Sequence, residues 1–144
     1  MKSFCIGSSK HEFIIVKVIN YERAVTGDYH DDNWLNVEVE LKIGGFKGAF
    51  SASFLTEDFV NFYHEVQHLY EVLHGTAKFH TLEGQLSFAL KGNGLGGIEV
   101  KGVAQDQIGV GNELVFGFLL DQTHLVALLK ELIEINASFP IRTV

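Results

Sequence analysis

The chain has 144 residues, enough for one domain (1–144) that buries about two-thirds of its unfolded surface. Hydrophobic residues make up 47% of it and include twelve phenylalanines, which excludes an intrinsically disordered chain. The net charge of −7, from 18 acidic and 11 basic residues, argues against nucleic acid as a direct ligand, because phosphate contacts need clustered Lys or Arg.

The N-terminus carries a short apolar run, Phe4 to Gly7, too brief for a signal peptide. Its one cysteine, Cys5, allows no intrachain disulfide, fits a cytoplasmic location and sits in a segment read as loose. Residues 12–20 predict a strand that is apolar on both faces. A polar loop follows, from Tyr21 to Asn33. Residues 34–43 alternate: Leu35, Val37, Val39, Leu41 and Ile43 share one face, and Asn36, Glu38, Glu40 and Lys42 the other, as in a half-buried strand. Gly44-Gly45 predicts a hairpin turn into a strand lined by Phe46, Phe50 and Phe54.

Residues 56–74 predict a helix with Thr56 as N-cap and Gly75 as stop. Phe59, Phe62, Val66, Leu69 and Leu73 recur along one stripe. Strands are predicted near 76–82, 85–91, 97–104 and 113–120. In the last of these, Val115 and Leu119 keep the second face apolar, as expected of a central strand or a contact surface. A second helix is predicted from Gln122 to Ala137, with Asp121 as N-cap. No apolar run approaches the length of a membrane span. No internal repeat is visible. The order βββ-α-ββββ-α predicts an α+β fold: a mainly antiparallel sheet of six to seven strands with two amphipathic helices packed on one face.

One segment carries the letters of a metal site. His64-Glu65-Val66-Gln67-His68 spells H-E-x-x-H, with His74 beyond it. In a zinc hydrolase the two histidines bind metal and the glutamate activates the bound water. Here His64 and His68 fall roughly 140–180° from the centre of the apolar stripe, so they face solvent if the stripe faces the core. Glu71 stands where the longer motif needs Gly, and the only methionine is Met1. The segment therefore reads as a solvated helix face whose His64 and His68 offer at most an adventitious metal site; a hydrolase using His64, His68, His74 and Glu65 is the alternative. Gly92-Asn93-Gly94-Leu95-Gly96-Gly97 matches G-x-G-x-x-G by letters, but a strand follows it where a dinucleotide site needs a helix, so it reads as a hairpin. No cofactor is implied.

Asp28, His30, Asp31 and Asp32 form an acidic cluster beside Tyr29 and Trp34. Hard oxygen ligands this close could hold a cation, but they match no calcium-loop pattern, and a solvated loop is the default reading. A protein interface comes next, since aromatic side chains beside charge suit one. Asp28, Asp31, Asp32, Trp34, Glu38 and Glu40 are therefore the candidate partner-binding residues.

Certain words of the sequence resemble the WapI-type immunity proteins of bacteria. They are Asp32-Asn33-Trp34-Leu35, Gly44-Gly45-Phe46 and Phe50-Ser51-Ala52, then Leu69-Tyr70, Gly75-Thr76-Ala77 and Leu82-Glu83. Gly109-Val110-Gly111-Asn112 and Leu120-Asp121-Gln122-Thr123 complete the pattern, over residues 12–140. The resemblance implies a small, non-enzymatic cytoplasmic protein that neutralises a toxin domain by binding it. The family's founding toxin carries an RNA-cutting domain, so the implied partner is a basic nuclease domain. A third reading is an oligomerisation module that forms a homodimer through the apolar outer face of residues 113–120.

Overall fold

The computed structural model describes residues 1–7 and 10–143. The first four strands are β1 (Lys2–Ile6), β2 (Glu12–Tyr21), β3 (Trp34–Ile43) and β4 (Phe46–Leu55). The other four are β5 (His74–Phe79), β6 (Leu86–Asn93), β7 (Gly97–Gln105) and β8 (Glu113–Asp121). Helix α1 (Tyr29–Asp32) is a single turn, α2 (Thr56–Val72) joins the two strand sets, and α3 (His124–Ser138) follows β8.

The antiparallel α+β class is as predicted, but among the described residues the strands number eight and divide between two sheets, β1-β2-β3-β4 and β5-β6-β7-β8. Alternating hydrophobicity marks a half-buried strand without saying which sheet it joins. The extra strand is the N-terminal run read as loose: Phe4 and Ile6 pair with Val16 and Ile14 and are fully buried. Four strands and a helix thus occur twice, a duplication of layout that no sequence periodicity announces. The helices do not lie together on one face of one sheet. Helix α2 packs against β5, α3 packs against β1, and the helices pack on each other.

Both sheets turn their apolar faces into one core. Phe79 of β5 sits at its centre, with ring centroids 5.6 Å from Phe4 and Phe54, 5.8 Å from Phe59, and 5.3 Å from Phe62 and Phe88. One ring therefore touches both sheets and α2. Truncation to alanine removes these contacts and leaves a cavity that backbone from three directions would have to fill. Phe79→Ala is expected to cost about 3–5 kcal/mol, read as a lower urea midpoint.

The helix ends are built differently from the sequence expectation. Thr56 does not cap α2; its buried hydroxyl donates to Asn33 Oδ1 at 2.8 Å. The cap position is Leu55, whose N–H donates to Asp58 Oδ2 at 2.9 Å. The helix stops at Leu73, which takes the left-handed conformation (φ 56°), before Gly75 is reached. Asp121 accepts the Thr123 N–H at 2.9 Å, one turn ahead of the α3 start at His124.

Burial pushes the Asp58 carboxyl up to about 6, against the Leu55 N–H, which pulls it down. The folded chain then holds that proton more tightly than the unfolded chain does. This contribution to stability is complete below the ordinary value of 3.8 and is lost as pH rises from there through about 6. Asp58→Asn keeps a carbonyl acceptor for Leu55 but cannot ionise. Urea midpoints of the wild type should therefore fall between pH 4 and pH 7 (about the span of the shift) more than those of Asp58→Asn. Parallel curves for the two proteins would refute this.

Candidate partner-binding surface

The loop between β2 and β3 is built around two buried polar side chains. Asp32, 3% exposed, accepts the Thr26 N–H and hydroxyl, each at 2.7 Å, and the Gly27 N–H at 2.9 Å. The Thr26 hydroxyl, helped by the two backbone donors, holds its carboxyl below the usual range. Asn33, 1% exposed, donates from Nδ2 to the Tyr29 carbonyl at 2.7 Å and the Arg142 carbonyl at 2.9 Å. Its Oδ1 accepts the Thr56 hydroxyl and the Arg142 N–H, each at 2.8 Å. All of the hydrogen-bonding capacity of this amide is used, as burial requires.

These bonds clamp the C-terminal segment onto the loop. The Arg142 guanidinium lies 3.5 Å from the Tyr21 ring centroid and donates to the Arg23 carbonyl at 3.0 Å. The Tyr21 hydroxyl donates to the Pro140 carbonyl, and its ring meets Phe139 edge-on at 5.6 Å. In the sequence Asn33 figures only as the end of the polar loop and within the run Asp32-Asn33-Trp34-Leu35, and Arg142 not at all, because a buried amide hub has no spacing signature.

The six candidate residues separate into three groups. Asp32 faces inward and its oxygens are occupied by the loop's own donors. Asp28 caps α1 by accepting the Asp31 N–H at 3.1 Å, and Asp31 lies 3.7 Å from Arg23; both remain near solvent. Half-buried Trp34 begins β3, and the predicted alternation places it on the outer face with Asn36, Glu38, Glu40 and Lys42. Trp34 and Glu40 are about 20 Å apart along the strand. Lys17 stands 3.6 Å from Glu40, whereas Glu38 has no ion-pair partner among the described residues. Opposite Glu38 and Glu40 on β4 are Ser51 and Ala49. Their small side chains leave a shallow depression bordered by Lys17, Glu38, Glu40 and Phe50.

The helix carrying H-E-x-x-H turns Phe59, Phe62, Val66 and Leu69 into the core and leaves His64 and His68 exposed. Glu65 Oε1 accepts the Lys78 N–H of β5 at 2.9 Å. That carboxylate is a structural cap on a strand edge, where the hydrolase reading needs it facing a metal-bound water. His74 is exposed at the start of β5, and His80 Nδ1 lies 3.1 Å from Ser87 Oγ. No group of three or more His, Cys, Asp or Glu side chains is arranged to hold a metal ion among the described residues.

Gly94 (φ 78°) and Gly96 (φ 102°) form the β6–β7 hairpin, as the strand context predicted. Burial and the nearby Glu131 push the Cys5 thiol up to about 11, far from thiolate chemistry at neutral pH. Strand β8 is an edge strand, with Val115 (71% exposed) and Leu119 (75% exposed) on its outer face. No helix among the described residues is long and apolar enough to cross a membrane.

A family model for WapI-like immunity proteins matches residues 5–140. The chain belongs to the WapI-like immunity protein family. No curated protein matches the sequence. The family match reaches from β1 to Pro140, so the loop and the outer face of β3 lie inside it, while Arg142 of the C-terminal clamp lies two residues beyond it.

The Asn33–Arg142 clamp predicts coupled losses. Asn33→Ala leaves the Arg142 backbone, the Tyr29 carbonyl and the Thr56 hydroxyl without their partner and should cost about 1–3 kcal/mol. Arg142→Ala leaves the backbone groups that Asn33 holds and removes only the guanidinium's contacts with Tyr21 and Arg23. If both sets hold the same segment, the combined losses should fall short of additive by at least about 0.5 kcal/mol in a double-mutant cycle of urea unfolding. Strict additivity would show that the main-chain and side-chain holds on the segment act independently.

Proposed function

We propose that the protein is a non-enzymatic inhibitor that neutralises a bacterial toxin domain by binding it directly. The observation that carries this reading is membership of an immunity family over residues 5–140. The net charge of −7 supports a basic partner, such as a nuclease domain. Opposite fields speed encounter and favour one register of docking. The recognition surface is the loop with Asp28 and Asp31, continued by Trp34, Glu38 and Glu40 along β3. Asp32 contributes by holding the loop's shape from within. Trp34 supplies the kind of large, partly buried anchor that dominates interface energies.

Neutralisation of this type needs rigid presentation and no reacting group. The loop acids rest on a buried Asp and a buried Asn, and the strand acids rest on a sheet whose other face is core. That arrangement limits the entropy lost on docking.

The test is growth of cells that express a candidate partner toxin domain, with and without the immunity chain. Wild-type chain should restore growth. Joint reversal of Asp28, Asp31, Glu38 and Glu40 to Lys should abolish protection and weaken binding of the purified domain by at least about 100-fold. Reversal of Glu71, on the exposed side of α2, should leave both unchanged. Undiminished protection by the fourfold variant would exclude this surface.

A further inference from the structure

The strand edges of the two sheets are treated unequally. Pairing parity shows which amides point outward. The two-residue turn Gly44-Gly45 makes Ile43–Phe46 a hydrogen-bonded pair, so the even-numbered residues of β4 bond to β3. The Thr56 N–H to Asn33 carbonyl bond, 3.0 Å, continues the same parity. Lys47, Ala49, Ser51, Ser53 and Leu55 therefore present their N–H and C=O groups to the free edge.

On β1, the outward Cys5 N–H is taken by Glu131 of α3 at 3.1 Å. On β5, the outward Lys78 N–H is taken by Glu65 of α2. Each of those edges also has a helix packed beside it. On β4 only Leu55 is capped, by Asp58. No side chain caps Lys47, Ala49, Ser51 or Ser53 among the described residues. Natural proteins blunt a long open edge with proline, charge, a bulge or a covering element. Strand β4 has ten residues, one charged side chain and no proline or bulge.

The side chains beside this edge fit an incoming strand. On the outer face Ala49, Ser51 and Ser53 are small, so a long basic side chain on a neighbouring strand can reach across them to Glu40 and Glu38. Glu22, held to Ser53 Oγ at 2.8 Å, extends the acidic row. On the inner side Phe46 is 67% exposed, and a groove lined by Leu41, Phe46, Phe50, Ala104 and Leu114 lies between β4 and the start of β8. Apolar side chains on the other face of the same incoming strand would enter that groove.

We propose that β4 is a strand-addition site for an extended segment of a protein partner with basic and apolar residues in alternation. Main-chain bonds to Lys47, Ala49, Ser51 and Ser53 supply binding, and the Glu38–Glu40 row and the phenylalanine groove supply selectivity. This mode rests on the reading that the protein acts by binding another protein.

The probe is an end-blocked decapeptide of alternating Lys and Val, added to the full ¹⁵N-labelled chain. The amides of residues 47, 49, 51 and 53 should exchange at least about tenfold more slowly with peptide, while the even-numbered amides, already bonded to β3, change little. Ala49→Pro with Ser51→Pro, compatible with an open edge, and Glu38→Gln with Glu40→Gln should each weaken binding by at least about tenfold. Should the proline variant fail to fold, two N-methylated peptides replace it, one methylated at every Lys and one at every Val. Only the peptide whose methyl groups meet β4 should lose binding.

Equal binding of both methylated peptides would overturn the proposal. So would no saturable binding, protection at residues 115, 117 and 119 of β8, or slowing at β4 with rising protein concentration alone, which would assign the edge to a second copy. If the peptide fails while the fourfold charge reversal still abolishes protection, strand addition falls and the recognition surface stands.

Discussion

Edge amides need a partner, water or protein, and two glutamates on two helices supply one on β1 and β5 here. Glu65 accepts from Lys78 and Glu131 accepts from Cys5. Each carboxylate belongs to the helix that packs on the first strand of a sheet. The bonds tie the ββββα units crosswise, so neither sheet closes without the helix set beside it. Charge-assisted acceptance of this kind is stronger than a neutral hydrogen bond, but these carboxylates are partly solvated, so their value lies more in register than in raw stability. The phenylalanines then fill the space the register defines. Phe4 and Phe79 meet because β1 and β5 are held where the helices put them.

The same constraint explains why the most conspicuous motif in the chain misleads. H-E-x-x-H places its glutamate between two histidines on one side of a helix. In a metal site that side faces a cleft. Here the apolar stripe was readable from residue spacing, and it put the histidines outside. The glutamate's task was not readable, because it depends on a strand edge that the sequence does not mark as adjacent. Residue types were correct and the inferred chemistry depended on the neighbour.

Strand positions, both long helices, the Gly44-Gly45 turn and the glycine hairpin before β7 follow from local patterns, and the structure agrees within a few residues. What the patterns lacked was pairing. Nothing in the alternation of β3 or β6 says that they lie in different sheets, and five residues at the N-terminus are too few to display a period. The helix caps failed for a related reason. Thr56 and Asp121 are good capping types, yet Thr56 is claimed by Asn33, a residue 23 positions away in sequence. Long-range polar contacts override local preference wherever the competing partner is buried. Within the candidate surface the alternation of β3 placed Glu38 and Glu40 outward correctly. Asp32 was grouped with the surface acids because composition cannot distinguish an inward carboxylate from an outward one.

Under the proposed binding function, the loop and the open β4 edge would answer different demands. The loop acids are exposed but their backbone is fixed, since Asn33, Asp32 and the C-terminal segment use every buried donor and acceptor nearby. Rigid charge of that kind gives fast, oriented encounter, and it is sensitive to salt. An edge strand gives the opposite: main-chain bonds that form late, depend little on salt and accept varied side chains. Charge alone would leave a partner loosely held, and an open edge alone would pair with any extended chain, including copies of itself. Placed side by side on one sheet, the acidic row in the proposed mode would restrict which strand the edge accepts, and the edge would retain what the charge has steered in.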